Sequence, residues 1–495
     1  MLGVSTGQDR LVSDAKSAYQ AGRFEEAKKV YLKILENDVH HAPSLYGLGL
    51  IAYRFGAYET AAGMFQRAVV DGRGAAEYRL ALGLALQAIG NLDEALAEYR
   101  HVQALEPHNE LAPLRLGNVF VLQGKLDDAV AAFRRSISVQ SGCIDAHINM
   151  GNVLRKQARF AEARQSYDRA LALQPDHVEV LWNRSLLELH LGNFSEGWNG
   201  YELRRRRKIN LVQEFPQPLW QGEPLNGARI LLHSEQGLGD TLQFLRYVPM
   251  VQQAGGLVVL SVQPGLRRIA AQLSGLHGLI VTGDPIPAIN FQYPLMSLPW
   301  AFKTTLQSIP DDVPYLSIPG EALSGTERIH WPTTGLRVGL AWKGGSLNEE
   351  NRFRSLRTEA LARLLDLDNI HFYSFQIDGA FEELPDDLRP RVTDLQPFTT
   401  DMTDTAAQLS RLDLLITVDT AVAHLAGALA IHTWVLIPFA PDWRWLTSRE
   451  DSPWYPTLRL FRQPQFGDWQ SVVERIRIEL SALADRAGRN QVISL

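Results

Sequence analysis

Residues 76–109 read AEYRLALGLALQAIGNLDEALAEYRHVQALEPHN, and this stretch decides the fold of the first part of the chain. It carries small residues at Gly83 and Ala95, an aromatic ring at Tyr99 and a proline at Pro107. The same 34-residue frame stays in register six times, over 8–41, 42–75, 76–109, 110–143, 144–177 and from 178 onward. A period of this length predicts stacked helix pairs, because a single pair cannot bury its own apolar face.

Three positions of the frame keep their chemistry from copy to copy. The first is a glycine, at Gly49, Gly83, Gly117 and Gly151. The second is small, at Ala27, Ala61, Ala95, Ala129, Ala163 and Gly197. The third is aromatic, at Tyr31, Phe65, Tyr99, Phe133, Tyr167 and Tyr201. We expect the small residues to let two helices approach closely and the ring to fill the gap between neighbouring pairs. The pattern resembles the tetratricopeptide repeat (TPR), which predicts a protein-binding solenoid over 1–207.

Composition describes an ordinary globular protein with more than one core. The chain has 495 residues and a formal charge of −6, which argues mildly against a nucleic-acid partner. Cys143 is the single cysteine, so an intramolecular disulfide and a cysteine-based zinc cluster are excluded. No signal peptide and no apolar run of the ~18 residues needed to span a bilayer are evident, so a cytoplasmic protein is expected. The basic run 204–208 is interpreted as a solvated helix end.

The pattern changes at 208–227, which is rich in proline and glycine and reads as a linker. Beyond it, short apolar runs alternate with amphipathic ones, which predicts parallel α/β structure. The first series is predicted as strand 229–233, helix 240–253, strand 257–262 and helix 264–273. A proline-rich stretch, 285–332, shows little regular pattern. The second series is predicted as strands 336–342, 371–376, 414–419 and 433–437 with helices 358–365, 404–412, 420–429 and 468–483.

Two doubly wound halves, 228–332 and 333–495, are the layout of a GT-B glycosyltransferase. Ligands of open α/β sheets bind at the carboxyl ends of the strands, so the cleft between the halves is the expected site.

A glycine loop follows the first predicted strand. Gly237 and Gly239 allow a tight turn, and Asp240 opens the next helix. Asp240 is interpreted either as a helix cap or as a general base that deprotonates an acceptor hydroxyl, and the loop alone does not decide between them.

A second motif follows the strand predicted to end near residue 419. Asp419, Thr420 and His424 lie at the start of the next helix, whose free N–H groups and dipole suit a phosphate. Thr420 adds a hydroxyl and His424 a ring N–H, so we favour a donor-phosphate site. The alternative is that Asp419 or Thr420 caps the helix and His424 lies in the interior.

Cations and a carboxamide follow two further strands. Lys343 leaves a strand into a glycine loop, where it is expected to neutralise a leaving diphosphate, and Arg354 adds a second cation. Gln376 lies where a nucleobase or ribose is expected to be read.

A final segment has aromatic and charged side chains. Trp443 and Arg444 are predicted to line the donor pocket, whereas Trp445 is interpreted as covering the sheet edge. Asp366 and Asp368 have the letters of a metal-binding DxD motif but lie at a helix end, so no metal and no other cofactor are expected.

The second half resembles bacterial glycosyltransferases related to ADP-heptose:lipopolysaccharide heptosyltransferases. The segments that carry the resemblance are QGLGDTLQFLRY, LITVDTAVAHLAGAL and PFAPDWRWL. The resemblance implies that Asp240 is the base and that Asp419, Thr420 and His424 face the donor phosphates. The family's Gly-Pro between Thr420 and His424 is replaced by Ala421-Val422, which leaves the donor class open.

The whole layout is similar to O-linked N-acetylglucosamine transferases and to TPR-bearing flagellin glycosyltransferases. In the former, asparagines of the repeat groove bind the backbone of an extended acceptor. The resemblance therefore implies acceptor binding by a set of carboxamides: Asn118, Asn149, Asn152 and Asn183. The alternative is that these residues are local polar filler.

These observations favour a metal-independent, inverting glycosyltransferase that uses a nucleotide sugar to modify a Ser or Thr of a protein, with flagellin as one candidate. Two alternatives stay open. One is transfer to a lipid or polysaccharide, and the other is a TPR adaptor with an inactive transferase-like half.

Overall fold

The computed structural model describes residues 7–207, 215–345, 354–377 and 379–488. The first seven residues of the predicted linker, 208–214, lie outside the described residues. The chain divides into two compact units, Met1–Val180 and Leu181–Leu495.

Unit 1 consists of helices that pack in consecutive pairs, which confirms the predicted helical solenoid. They are α1 Gly7–Gln20, α2 Phe24–Asn37, α3 Ala42–Arg54, α4 Tyr58–Asp71, α5 Ala76–Ala88, α6 Leu92–Leu105, α7 Leu111–Leu122, α8 Leu126–Val139, α9 Ile144–Lys156 and α10 Phe160–Leu173. The boundary of the units falls within α11 Val178–His190, and α12 Phe194–Tyr201 belongs to unit 2.

The repeated glycine makes room for the repeated ring. A Cβ atom built on Gly83 would lie 2.5 Å from the ring of Tyr99, and one on Gly151 would lie 2.5 Å from Tyr167. Each ring therefore fills the space that the glycine leaves in its own helix pair. The expected position between neighbouring pairs is seen for Tyr31, whose ring lies against the next pair at Gly47.

Unit 2 contains two parallel sheets, in agreement with the α/β prediction. The first has the order β3-β2-β1-β4. Its strands are β1 Arg229–His233, β2 Leu257–Val262, β3 Gly278–Val281 and β4 Phe291–Pro294. Its helices are α13 Leu238–Phe244, α14 Val248–Gln253, α15 Arg267–Ala270, α16 Leu298–Ala301 and α17 Gly320–Gly325. The predicted helix 240–253 is broken by a 3₁₀ turn, Leu245–Tyr247, and a proline starts its second part.

The second sheet has the order β10-β9-β8-β5-β6-β7, again with every pairing parallel. Its strands are β5 Leu336–Ala341, β6 Ile370–Ser374, β7 Val392–Asp394, β8 Leu414–Val418, β9 Thr433–Ile437 and β10 Leu458–Arg462. Its helices are α18 Thr358–Leu365, α19 Met402–Leu409, α20 Ala421–Ala428 and α21 Trp469–Gly488.

One apolar core joins the two sheets within unit 2. It includes Leu232 and Leu242 from the first sheet and its helix, and Ala426 and Trp445 from the second. Burial of this shared surface holds α13 against α20, which begin where β1 and β8 end. The two loops that the sequence predicts to be functional are therefore brought together.

Candidate functional site

Gly239 lies at a close contact between the two halves of unit 2. A Cβ atom on Gly239 would lie 2.8 Å from Cδ2 of His424 and 3.4 Å from Cα of Ala421. Real side chains do not tolerate the first distance, so Gly239 is needed for the contact between the two helix N-termini. Ala421, the small first residue of α20, allows the same approach.

Asp240 caps the start of α13 and also contacts the other half of unit 2. Its Oδ2 accepts a hydrogen bond from the Gly237 amide at 3.0 Å, and its Oδ1 accepts one from Nη2 of Arg444 at 2.5 Å. About a fifth of the side chain, 21 %, remains exposed. Burial raises the pKa of Asp240, Arg444 opposes the rise and Asp442 adds to it. The carboxylate is thus fixed in direction, is partly accessible and has an oxygen lone pair left to accept a proton.

Arg444 binds two carboxylates and one carboxamide. Besides Asp240, its Nη1 donates to Oδ1 of Asp442 at 2.8 Å and its Nε to Oε1 of Gln243 at 2.5 Å. The guanidinium lies 4.4 Å from the ring centroid of Trp443. Although burial acts in the other direction, Arg444 lowers the pKa of Asp442. Arg444 is therefore committed to protein groups of both halves.

His424 lies in the interior, as the alternative interpretation expects, and also at the contact between the halves. Its Nδ1 is 3.0 Å from the Tyr455 hydroxyl, and its Nε2 is 3.8 Å from Oδ1 of Asp419. The ring stacks on Trp445 with centroids 5.6 Å apart. Burial, with Arg444 as the next cause, lowers the pKa of His424 to about 3. The imidazole is neutral at pH 7.

Asp419 and Thr420 lie at the start of α20. Nη1 of Arg354 is 3.7 Å from Oδ2 of Asp419, and burial followed by Asp442 raises the pKa of this carboxyl. Thr420 is the N-cap residue, but its hydroxyl lies 3.2 Å from Oγ1 of Thr417 and makes no capping bond to the helix. The helix terminus that the sequence predicts to bind phosphate thus lies beside a cation and a carboxylate.

Lys343 and Gln376 are both engaged by protein groups. Nζ of Lys343 lies 2.5 Å from Oε1 of Glu383, and both side chains are partly exposed. Oε1 of Gln376 accepts from the amides of Trp342 and Lys343 at 2.6 and 2.8 Å, and its Nε2 donates to the Lys343 carbonyl at 3.2 Å. Gln376 therefore holds the loop that carries Lys343, and its predicted contact with a nucleotide requires these bonds to be exchanged.

The tryptophans of the 443–445 turn are core residues. Trp443 is 4 % exposed and packs edge-on against Trp198, with centroids 5.2 Å apart. Trp445 is fully buried and stacks on His424 at the contact between the halves, and its expected position over the sheet edge stays a prediction. The partner of Trp445 is His424 on α20, and the pattern of residues around position 445 does not reveal this contact.

Arg204 is a residue whose role the sequence interpretation missed. The prediction of a solvated helix end is wrong here, because Arg204 is 1 % exposed. Its Nη2 lies 2.6 Å from Oε2 of Glu235 and 2.6 Å from the Ser297 hydroxyl, and its Nη1 lies 2.8 Å from Oε1 of Glu202. Glu235 begins the segment that leads to Gly237, so Arg204 anchors the glycine loop.

The predicted groove asparagines make local hydrogen bonds. Nδ2 of Asn149 donates to Oδ1 of Asn118 at 2.9 Å, which joins adjacent repeats. Oδ1 of Asn152 accepts from the Tyr167 hydroxyl at 2.7 Å. Asn183 belongs to unit 2. All four are partly exposed.

The residues that the structure describes contain no group of three or more His, Cys, Asp or Glu side chains placed to hold a metal ion. Within the same ranges, no helix has both the length and the apolarity to cross a membrane.

Comparison with known proteins establishes the repeats. The tetratricopeptide repeat family matches residues 14–77, 80–141 and 148–197, just over a third of the chain. Tetratricopeptide repeats are thus present, and they indicate a role in protein interaction. Protein FlbA of Caulobacter vibrioides is 28 % identical over 342 residues, which are 61 % of this chain and 54 % of FlbA. The chain therefore spans about half the length of this curated relative.

Solved structures that are similar to the chain match it over a limited part. YrrB, described as a TPR protein with an unusual peptide-binding site, is 26 % identical over 36 % of this chain and 91 % of YrrB, with a TM-score of 0.32. PilF of Pseudomonas aeruginosa is 20 % identical over 40 % of this chain and 91 % of PilF, with a TM-score of 0.37.

Proposed function

We propose that the chain is a metal-independent, inverting glycosyltransferase of the GT-B type, acting in the cytoplasm. It moves a sugar from a nucleotide sugar to a Ser or Thr hydroxyl of a protein bound by the TPR repeats. The observation that supports this most is the contact between Gly239, the neighbour of Asp240 in the loop after β1, and the N-terminus of α20, at the end of β8. A base and an anion-binding helix end then face one another across strand ends, as sugar transfer requires.

In the proposed reaction, Asp240 takes the proton of the acceptor hydroxyl as that oxygen attacks the anomeric carbon. The bond from the sugar to the diphosphate breaks in the same step, and the anomeric configuration inverts. The N–H groups at the start of α20 and the cations Lys343 and Arg354 stabilise the negative charge of the departing nucleoside diphosphate. His424 remains neutral, because its buried ring has a pKa of about 3.

The experiment is turnover of a panel of nucleotide sugars by the purified full chain, measured as nucleoside diphosphate release with and without an acceptor protein. Flagellin is the first acceptor to test. The proposal expects release that depends on one donor class and on the acceptor. If the sugar is recovered on a lipid or polysaccharide and the protein acceptor is unmodified, the proposed protein acceptor is wrong and transfer to a lipid or polysaccharide takes its place.

A second candidate is a TPR adaptor whose transferase-like half is inactive. Its support is that Lys343, Gln376 and His424 are all occupied by protein partners, namely Glu383, the backbone of residues 342–343 and Tyr455. This candidate expects no turnover with any nucleotide sugar and no heat of binding when UDP, ADP, GDP or CDP is titrated. A protein partner would nevertheless bind to the repeats.

A further inference from the structure

The Arg444 side chain is placed to act on Asp240 rather than on a ligand. It belongs to the 3₁₀ turn Trp443–Trp445 of the second sheet's half, whereas Asp240 belongs to α13 of the first. All three guanidinium nitrogens have a protein acceptor, at 2.5 Å for Asp240, 2.8 Å for Asp442 and 2.5 Å for Gln243. The face of the guanidinium is covered by Trp443. Its orientation is thus determined on every side.

We propose that Arg444 is a positioning residue, whose guanidinium holds the Asp240 carboxylate ionised and aimed across the cleft. The inference rests on the proposed function, because it assigns Arg444 to the base and not to the nucleotide sugar, where the sequence pattern places it. Two fixed contacts, from Arg444 to Oδ1 and from the Gly237 amide to Oδ2, define one orientation of the carboxylate. A base held in this way needs no reorganisation before it accepts a proton.

The charges around Asp240 explain why a cation is needed there. Asp442 is the second carboxylate of the cluster and repels the charge of Asp240, and burial acts in the same direction. Arg444 is the main opposing group, and Arg354 contributes further. In the second sheet's half, Asp419 lies just before α20 and the neutral His424 lies within it. The charges of Arg444 and Asp240 also act on the Tyr201 hydroxyl. Without Arg444, the partly buried carboxylates of Asp240 and Asp442 would repel each other, and only the weaker effect of Arg354 would oppose that repulsion.

The test exploits two substitutions that are expected to change Asp240 in opposite directions. The full-length protein is labelled with ¹³C at the aspartate side-chain carboxyl, and the Asp240 signal is assigned by its loss in Asp240→Asn. Arg444→Gln should move the titration midpoint of Asp240 upward by roughly one to three pH units, the usual effect of an opposite charge at this distance. Asp442→Asn should move it downward, because a neighbouring negative charge is removed. General damage to the fold would not produce opposite shifts.

Further variants keep the test decisive if Arg444→Gln does not fold. Arg444→Gln combined with Asp442→Asn restores the charge balance, and Arg444→Lys keeps the charge but not the planar fork. In Arg444→Lys, the titration midpoint of Asp240 should lie close to that of the parent protein. The matched control is Arg268→Gln, because Arg268 also joins the two halves, through Asp401 and Asp404, without contacting Asp240. Its Asp240 midpoint should match the parent.

Two results would overturn the inference. One is an Asp240 midpoint that does not move upward in Arg444→Gln, or that does not move downward in Asp442→Asn. The other is an Arg444→Lys protein in which Asp240 titrates normally while binding of UDP, ADP, GDP or CDP is lost, because Arg444 would then belong to the donor site. If the midpoints move as expected but no nucleotide sugar is turned over, the charge arrangement stands and the proposed function fails. The two failures are therefore distinguishable.

Discussion

Replacing Gly239 with alanine tests the close approach of α13 and α20 that assembles the candidate site. The new Cβ atom would lie 2.8 Å from Cδ2 of His424, about 0.6 Å closer than ordinary contact allows. His424 has little room to yield, because it is hydrogen bonded to Tyr455 and stacked on Trp445. Overpacking of this kind costs roughly 1–3 kcal/mol, and alanine recovers about 0.5–1 kcal/mol through its helix preference. A net loss of about 0.5–2 kcal/mol is expected.

The assay is amide hydrogen exchange of the full-length protein, read by mass spectrometry on peptides that cover 238–247 and 421–429. A local loss of about 0.5–2 kcal/mol corresponds to exchange roughly 2- to 30-fold faster in both peptides. Gly265→Ala is the matched control, since a Cβ at Gly265 meets no atom within 4 Å. Its exchange should stay within about twofold of the parent.

A double substitution separates packing from other causes. In a His424→Ala background the alanine at position 239 has space, so Gly239→Ala should accelerate exchange much less than it does in the parent. Unchanged or slower exchange in Gly239→Ala alone would refute the close approach. An equal effect in both backgrounds would show that His424 is not the group in conflict.

Three further predictions concern the groups around the cleft and the repeats. Glu383→Gln should release Lys343 from its ion pair and tighten the binding of UDP or ADP by up to about fivefold, because an exposed ion pair is worth roughly 0–1 kcal/mol. Titration calorimetry measures this binding, and weaker binding in the variant would exclude a phosphate role for Lys343. His424→Gln should reduce the decrease in the free energy of unfolding that accompanies a fall in pH. The folded pKa of His424, about 3, lies below its ordinary value of 6.5, so between these values the unfolded state binds the extra proton and stability falls as pH falls. Denaturant midpoints at pH 7 and pH 5 should therefore differ more for the parent than for the variant, and equal differences contradict the buried neutral ring. Replacing both Asn118 and Asn149 with alanine removes one inter-repeat hydrogen bond and two carboxamides that are predicted to bind the acceptor, so flagellin binding should weaken roughly two- to tenfold or more. If the Kd for flagellin is unchanged, Asn118 and Asn149 serve only the packing between repeats.

Much of the fold follows from local pattern. The strands Arg229–His233 and Leu257–Val262 agree with the sequence prediction because each is a continuous apolar run buried in a parallel sheet. β3 and β4 were missed because each has four residues, and β3 is only half-buried. β10, Leu458–Arg462, has two arginines among its five residues and lies at the edge of its sheet, so it lacks the continuous apolar run of a buried strand.

The site was less accessible to sequence reasoning than the fold. Asp240 and His424 could be found, because each follows a strand and begins a helix. Their partners come from far along the chain: Arg444 is 204 residues from Asp240, and Glu235 is 31 residues from Arg204. No periodicity links such pairs, so Arg204 was interpreted as solvated although tertiary structure buries it. Likewise, only the folded chain shows that Lys343 and Gln376 already have protein partners.

The central claim is that Asp240 is the base of a sugar transfer to protein, and intact-mass analysis tests it most directly. The acceptor, flagellin first, is produced with the full-length parent chain and, separately, with Asp240→Asn. The variant keeps the shape of the side chain and one oxygen acceptor for Arg444, and loses the ability to take a proton. The account predicts an acceptor mass raised by whole sugar residues with the parent, and a rate of modification lower by ~10²–10⁴-fold with the variant. An equal mass increase with both proteins would contradict the role of Asp240, and an unmodified acceptor with the parent would contradict transfer to that protein.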